Sequence, residues 1–216
     1  VGAVRARREA WLAKASARAA TRDINIKTRG TARGFDPAAF GAPVAGSING
    51  SFEANGRLGD AWGGNVAILL GQSTLSNAPL SGHARLAANA QRMSNADIDL
   101  RAGPNVVTAR GSFGAPADKL DWRIDATQLA ILGQGFGGAL RGSGSLSGTH
   151  AAPALNAALE GRDLKFLGRH EVKTLRASAN LGARQGGATP LVSNVELTGY
   201  VSGKTRIDSA RLQTDG

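Results

Sequence analysis

A hydrophobic period of two, starting near residue 22 and persisting through almost all that follows, constrains this chain more than any other feature. Ile24 and Ile26 alternate with Asp23, Asn25 and Lys27. Val66, Ile68 and Leu70 share one parity, as do Leu86 with its alanine neighbours, Ile98 with Leu100, and Val107 with Phe113. Leu120, Trp122 and Ile124 alternate with Asp121, Arg123 and Asp125. Leu155 and Leu159, Leu164 and Phe166, Leu175 and Leu181, and Val195 and Leu197 continue the pattern. An extended backbone sends successive side chains to opposite faces, so each run describes a strand with one apolar and one wet face. Turn chemistry punctuates the runs at Asn49-Gly50, Asn55-Gly56, Ala102-Gly103-Pro104-Asn105, Gly186-Gly187 and Ser202-Gly203. Spacings of roughly 8–15 residues predict an all-β antiparallel meander of about 14–16 strands. At ~4.8 Å per strand, one continuous bent sheet over residues 21–216 would be roughly 65–75 Å long. The parity slips between Ile207 and the pair Ala210/Leu212, which predicts a turn or bulge there.

A one-sided sheet must bury its apolar face against something. No helical segments are interleaved to cover it, which leaves a closed barrel or sandwich, or a curved trough. The chain has 30 glycines and only 5% aromatic residues, so inward positions rich in Ala and Gly would underfill a closed core. The expected architecture is an elongated, curved antiparallel sheet whose apolar trough holds acyl chains. Its inward residues are expected to be Ile24, Ile26, Val66, Ile68, Leu70, Leu86, Ile98, Leu100, Val107, Phe113, Leu120, Trp122, Ile124, Leu155, Leu159, Leu164, Phe166, Leu175, Leu181, Val195 and Leu197. Asp97, Asp99, Asp121, Arg123, Asp125 and Glu160 are expected on the solvent face.

Residues 1–20 stand apart as a basic Ala/Arg-rich helix or linker. Residues 1–34 carry nine Lys/Arg against Glu9 and Asp23, so most of the net charge of +10 belongs to this arm. A basic arm can meet phosphates, but a solvated basic surface explains it as well, and no nucleic-acid partner is expected. The chain begins at Val1 and reads as a piece of something longer. The absence of cysteine excludes disulfides, zinc-thiolate sites and Cys nucleophiles.

No motif carries catalytic chemistry. Gly133-Gln134-Gly135-Phe136-Gly137-Gly138 satisfies G-x-G-x-x-G, but Ala139 to Gly144 cannot open the helix a dinucleotide site needs. His83, His150 and His170 lack metal-ligand spacing. The paired carboxylates sit on the wet parity, where nothing tunes their pKa for acid–base work. No cofactor is expected and the chain is not expected to be an enzyme.

A weak internal repeat places Leu120, Ile124, Leu129 and Ile131 at a constant offset of 35 from Leu155, Leu159, Leu164 and Phe166. The second copy adds Gly144-x-Leu146-x-Gly148, then Pro153 and Asp163-Leu164. This phrase resembles the repeating unit of the TamB/AsmA-like family. Gly34-Phe35-Asp36-Pro37-Ala38-Ala39-Phe40 is similar to a recurrent turn of that family, and the run from Gly103 to Gly114 to one of its hairpins. The resemblance covers about residues 20–216. It implies a β-taco, or repeating β-groove, in a periplasm-spanning protein anchored in the inner membrane by a segment outside this chain. It implies conduction of phospholipid between inner and outer membrane, with acyl chains as the ligand. The alternative implied role is a scaffold or chaperone for outer-membrane protein or autotransporter assembly, with a barrel partner contacted through parts outside this fragment. A Gly-rich adhesin or solenoid is the third reading. The hairpin-like turns and the uneven repeat argue against it.

Overall fold

The computed structural model describes residues 24–59, 61–76, 78–182 and 190–216. The expected arm over 1–20 and the Gly186-Gly187 turn lie outside these residues. The described chain forms one open antiparallel sheet in sequence order. Its strands are β1 (Ile24–Phe35), β2 (Gly46–Leu58), β3 (Gly63–Leu75), β4 (Ala78–Asn89), β5 (Met93–Ala102), β6 (Asn105–Phe113), β7 (Lys119–Ala126), β8 (Gly137–Thr149), β9 (Ala152–Phe166), β10 (His170–Leu181), β11 (Leu191–Ser202) and β12 (Thr205–Asp215). Two short 3-10 helices, Pro37–Phe40 and Leu129–Leu132, sit in the connections after β1 and β7. In such a meander the connections leaving odd-numbered strands line one rim, and those leaving even-numbered strands line the other.

The sheet has 12 strands among the described residues, fewer and longer than the turn spacing predicts. Two of the expected turns are interior to β2. At Asn49-Gly50 the ladder slips between Ser47 and Gly50. The Asn49 side chain holds this bulge by donating to the Gln72 carbonyl at 2.6 Å and accepting from the Gly34 N–H at 2.8 Å. At Asn55-Gly56 the chain stays extended because Gly56 pairs with Gly64 on β3, and two glycines let the backbones lie bare. Nor does β12 break at the Ile207 slip: Ile207 pairs with Tyr200 in an unbroken register. The expected length falls accordingly, to about 55 Å measured along the curve at ~4.8 Å per strand.

Two other expected turns, at Asp36-Pro37 and Gly103-Pro104, are present. Asp36 caps the 3-10 helix Pro37–Phe40 by accepting from Ala38 N–H at 3.1 Å, and it also accepts from Gly46 N–H at 3.0 Å. Gly103, at φ 56°, makes the tight β5–β6 turn that a residue with a Cβ would strain.

The sheet curls toward its apolar face, and one connection shows it. Residues 127–136, between β7 and β8, form a strap along the odd rim. Ser76, in the β3–β4 turn, donates to the Leu132 carbonyl at 2.7 Å. Gly168, in the β9–β10 turn, donates to the Gly135 carbonyl at 3.0 Å. Three residues span at most about 10 Å, so these turns approach within roughly 16 Å. In a flat sheet, six strand spacings would hold them about 29 Å apart. The strap is a chord across the bend, and its Leu129, Leu132 and Phe136 pack with Ile124, Leu140 and Leu175 of the apolar face. The concave side is therefore the apolar side.

Candidate functional site: an apolar trough

Cross-strand partners in a ladder share a face, so the register reads out the trough row by row. The central row runs Ala32, Gly50, Leu70, Gly82, Leu100, Val107, Ile124, Gly142, Leu159, Ala177, Val195 and Leu212. It crosses all 12 strands without one polar side chain. The next row toward the even rim holds Phe52, Ile68, Ala84, Ile98, Ala109, Trp122, Gly144, Ala157 and Ala179. It ends in Ser193 and Thr214, whose hydroxyls bond each other at 2.7 Å. A third row contains Val66 and Leu86 and, beyond a bulge, Leu120, Leu146, Leu155, Leu181 and Leu191. Ile24 and Ile26 face Leu58 and Gly56 at the even-rim end of β1.

Large side chains in these rows face glycines, which keeps the surface smooth. A Cβ at Gly144 would stand 2.7 Å from the Trp122 ring, and one at Gly30 2.8 Å from Phe52. A Cβ at Gly142 would stand 3.0 Å from Leu159. Much of the face is open: Ile26, Phe52, Val66, Ile68 and Val107 are all exposed.

Two residues expected in the groove are instead consumed by the protein's own packing. Leu164 is 1% exposed. Simple alternation would put it on the wet parity of Glu160, but Asp163 at φ 48° interrupts the pleat and turns Leu164 inward under Leu129. Phe113 is buried against the edge of the His150 ring, with centroids 4.9 Å apart. Phe166, Leu175 and Leu197 lie near the odd rim, and the first two pack on the strap cluster. Sequence reasoning missed Phe52, Leu58 and Trp62, because reading the Asn-Gly pairs as turns broke β2 into pieces. It also missed Leu212, hidden behind the Ile207 slip.

The convex face is a lattice of alternating charge. Asp125, Arg141, Glu160, Arg176, Glu196 and Arg211 are successive cross-strand partners from β7 to β12. Arg141 reaches Asp125 at 3.0 Å and Arg211 reaches Glu196 at 3.4 Å. A second ladder, Arg85, Asp97, Arg110 and Asp121, runs from β4 to β7. A strand slipped by one position would break these pairs and invert its faces, so the charges help to fix register. On this face Arg101 bonds Asp99 and holds its carboxyl below the usual range, and His83 meets Asp97 at 3.1 Å. On the even rim, Arg92 grips Asp118 through two bonds of 2.7 and 2.8 Å. That grip, with the Ala115 N–H, holds the Asp118 carboxyl below its ordinary range. No group of His, Asp or Glu among the described residues is arranged to hold a metal ion. The glycines of the G-x-G-x-x-G stretch belong to the strap and the start of β8, where no helix opens.

An open, bent sheet with a continuous apolar concave face and a charged back defines a class of groove proteins. The family of the TamB N-terminal domain matches residues 19–216, and the chain belongs to that family, whose members suggest an envelope protein. No curated protein and no solved structure matches the chain.

Proposed function

We propose that this chain is a segment of an inner-membrane-anchored, periplasm-spanning protein that conducts phospholipid between inner and outer membrane. The acyl chains travel in the trough. The observation that carries this reading is the central row of aliphatic and glycine positions through all 12 strands. A sliding acyl chain offers no hydrogen bond, so a single buried carboxylate in its path costs several kcal/mol or takes up a proton. No such group interrupts that row. The charged back lattice, the three isolated histidines and the helix-less glycine stretch serve structure in this reading, and no catalysis or nucleic-acid binding is assigned.

The test is lipid extracted from the purified protein, compared with the variants Ile124→Asp and Leu159→Asp. Both should lose bound phospholipid while the sheet remains assembled, and Asp99→Ala on the wet face should retain it. Equal lipid in all four proteins would overturn the proposal.

A second reading uses the same exposed apolar face, on which Phe52, Val66, Ile68 and Leu212 are open, as a scaffold that receives unfolded outer-membrane strands. Capture of such strands without bound lipid would favour it.

A further inference from the structure

The charge ladders of the convex face alternate in sign, but one corner of the sheet does not. Residues 164–173 and 199–207 carry five Lys/Arg against Glu171 alone, and Glu171 is taken by Lys165 at 2.9 Å. Two of the remaining cations stand on the odd rim. Arg169 lies in the β9–β10 turn and Lys204 in the β11–β12 turn, both exposed and neither with a carboxylate partner among the described residues. His170 pairs with Phe166 on one side and Ser202 on the other, so the two turns stand two strand spacings apart, roughly 10 Å. Like charges held this close repel, and the pair does nothing for register.

The concave floor beside this corner grades from polar to apolar. Val172 packs with the strap cluster and so faces the trough, and alternation puts His170 on the same face. His170 Nδ1 and the Tyr200 hydroxyl are 3.2 Å apart with their rings stacked, which places Tyr200 on that face too. Ile207 pairs with Tyr200, and Leu197 and Val195 follow toward the centre of the trough. From rim to floor the order is cation, phenol, aliphatic. A phenol at an apolar–polar boundary suits the junction of acyl chain and headgroup, and a guanidinium beside an ammonium complements a phosphate. The strap leads up to this corner. It is fastened near its start by the buried Asn105 side chain, which accepts from the Gln128 N–H and donates to the Gln128 carbonyl, both at 2.9 Å. Near its end it is tied where Gly168 donates to the Gly135 carbonyl, one residue before Arg169. The two turns beyond, 167–169 and 203–204, are described throughout.

Resting on the lipid-trough reading above, we propose that this corner of the odd rim, just past the strap, is a seat for the phosphodiester of a phospholipid headgroup. Arg169 and Lys204 take the phosphate between them. Tyr200, positioned by His170, lies at the level of the ester linkages, and the acyl chains run over Ile207, Leu197 and Val195.

The experiment uses the full chain with vesicles of phosphatidylethanolamine and phosphatidylglycerol that contain a photoreactive phospholipid. One probe carries its reactive group on the headgroup and the other at the end of the acyl chain. Peptide mapping should place headgroup adducts at 167–172 and 200–207. Arg169→Gln with Lys204→Gln, exposed turn changes that leave every charge ladder intact, should cut those adducts roughly 25-fold, about fivefold for each cation beside an anionic phosphate. Tail adducts at Ile124 should persist in that variant. Arg206→Gln, next to the inward Ile207 and so on the convex face, should leave the headgroup adducts nearly unchanged. A diacylglycerol probe, which lacks the phosphate, should label the trough but not the corner. Headgroup adducts that survive the double variant, or fall as far with Arg206→Gln, would overturn the seat and leave the trough reading standing. So would their removal by inorganic phosphate, which would mark a free-anion site, or a corner that binds a single-stranded oligonucleotide and takes no headgroup adduct. Absence of tail adducts from the whole apolar face would overturn both.

Discussion

Truncating Leu129 to alanine tests whether the strap is held by packing. Leu129 is 7% exposed and is the strap's only fully sunken side chain, lying against Ala126 and Leu164 with Leu132, Phe136, Leu140 and Leu175 around it. Leu→Ala in a closed core costs about 2.7–5 kcal/mol. Here the vacated space borders an open trough and can relax, so the low end applies, about 2–3 kcal/mol. The hydrogen bonds from Asn105, Ser76 and Gly168 are untouched by the change. The loss should therefore appear as easier local opening of residues 127–136. At 1.4 kcal/mol per tenfold, hydrogen exchange at the Gln128, Gly133 and Phe136 amides should accelerate roughly 30- to 150-fold. Amides in β2 and β11, remote from the strap, should change far less. Unchanged exchange in the strap would refute the packing account. Equal acceleration everywhere would show that the strap does not open as a separate unit.

Three further outcomes follow from the rims and faces. Because Arg92 depresses the Asp118 pKa, the stabilisation it gives is present above the ordinary carboxylate range and is lost as pH falls through the depressed value; amide exchange at Gln91 and Arg92 should rise only in strong acid, and Asp118→Asn should abolish that pH dependence. Arg176→Glu sets like charge against both Glu160 and Glu196, so the melting temperature should fall by an amount matching roughly 0.2–1 kcal/mol per pair, and adding Glu160→Arg should recover part of it. Gly144→Val drives a side chain into the Asn156 carbonyl and the Trp122 ring, so it should cost about 1–3 kcal/mol in chemical denaturation and change the Trp122 emission.

Most of the sheet was legible because period two is a direct consequence of extended backbone. Ile98, Leu100, Ile124 and Leu159 share the face that their parity assigns, and Asp125 and Glu160 face the other way in one charge ladder. The offset of 35 that relates Leu120 to Leu155 and Ile124 to Leu159 is a spatial fact too, since each pair occupies one row two strands apart. What misled was glycine, which makes both turns and close approaches. Gly203 marks a turn, whereas Gly50 sits at a bulge and Gly56 lies bare against Gly64, and local sequence does not distinguish these uses. The strap was invisible for a different reason. Leu129 and Ile131 continue the 35-residue offset of the repeat, yet they leave the sheet for a 3-10 helix, and only long-range contacts such as those of Ser76 and Gly168 reveal that they close a rim.

The most direct test of the lipid-trough account places a photo-crosslinking residue at 124 or 159 on the apolar row, and at 99 or 125 on the charged back, in the full chain. The account predicts phospholipid adducts at 124 and 159 and none at 99 or 125. Adducts at the back positions with none in the trough, or adducts at 124 and 159 only with unfolded outer-membrane protein, would contradict it.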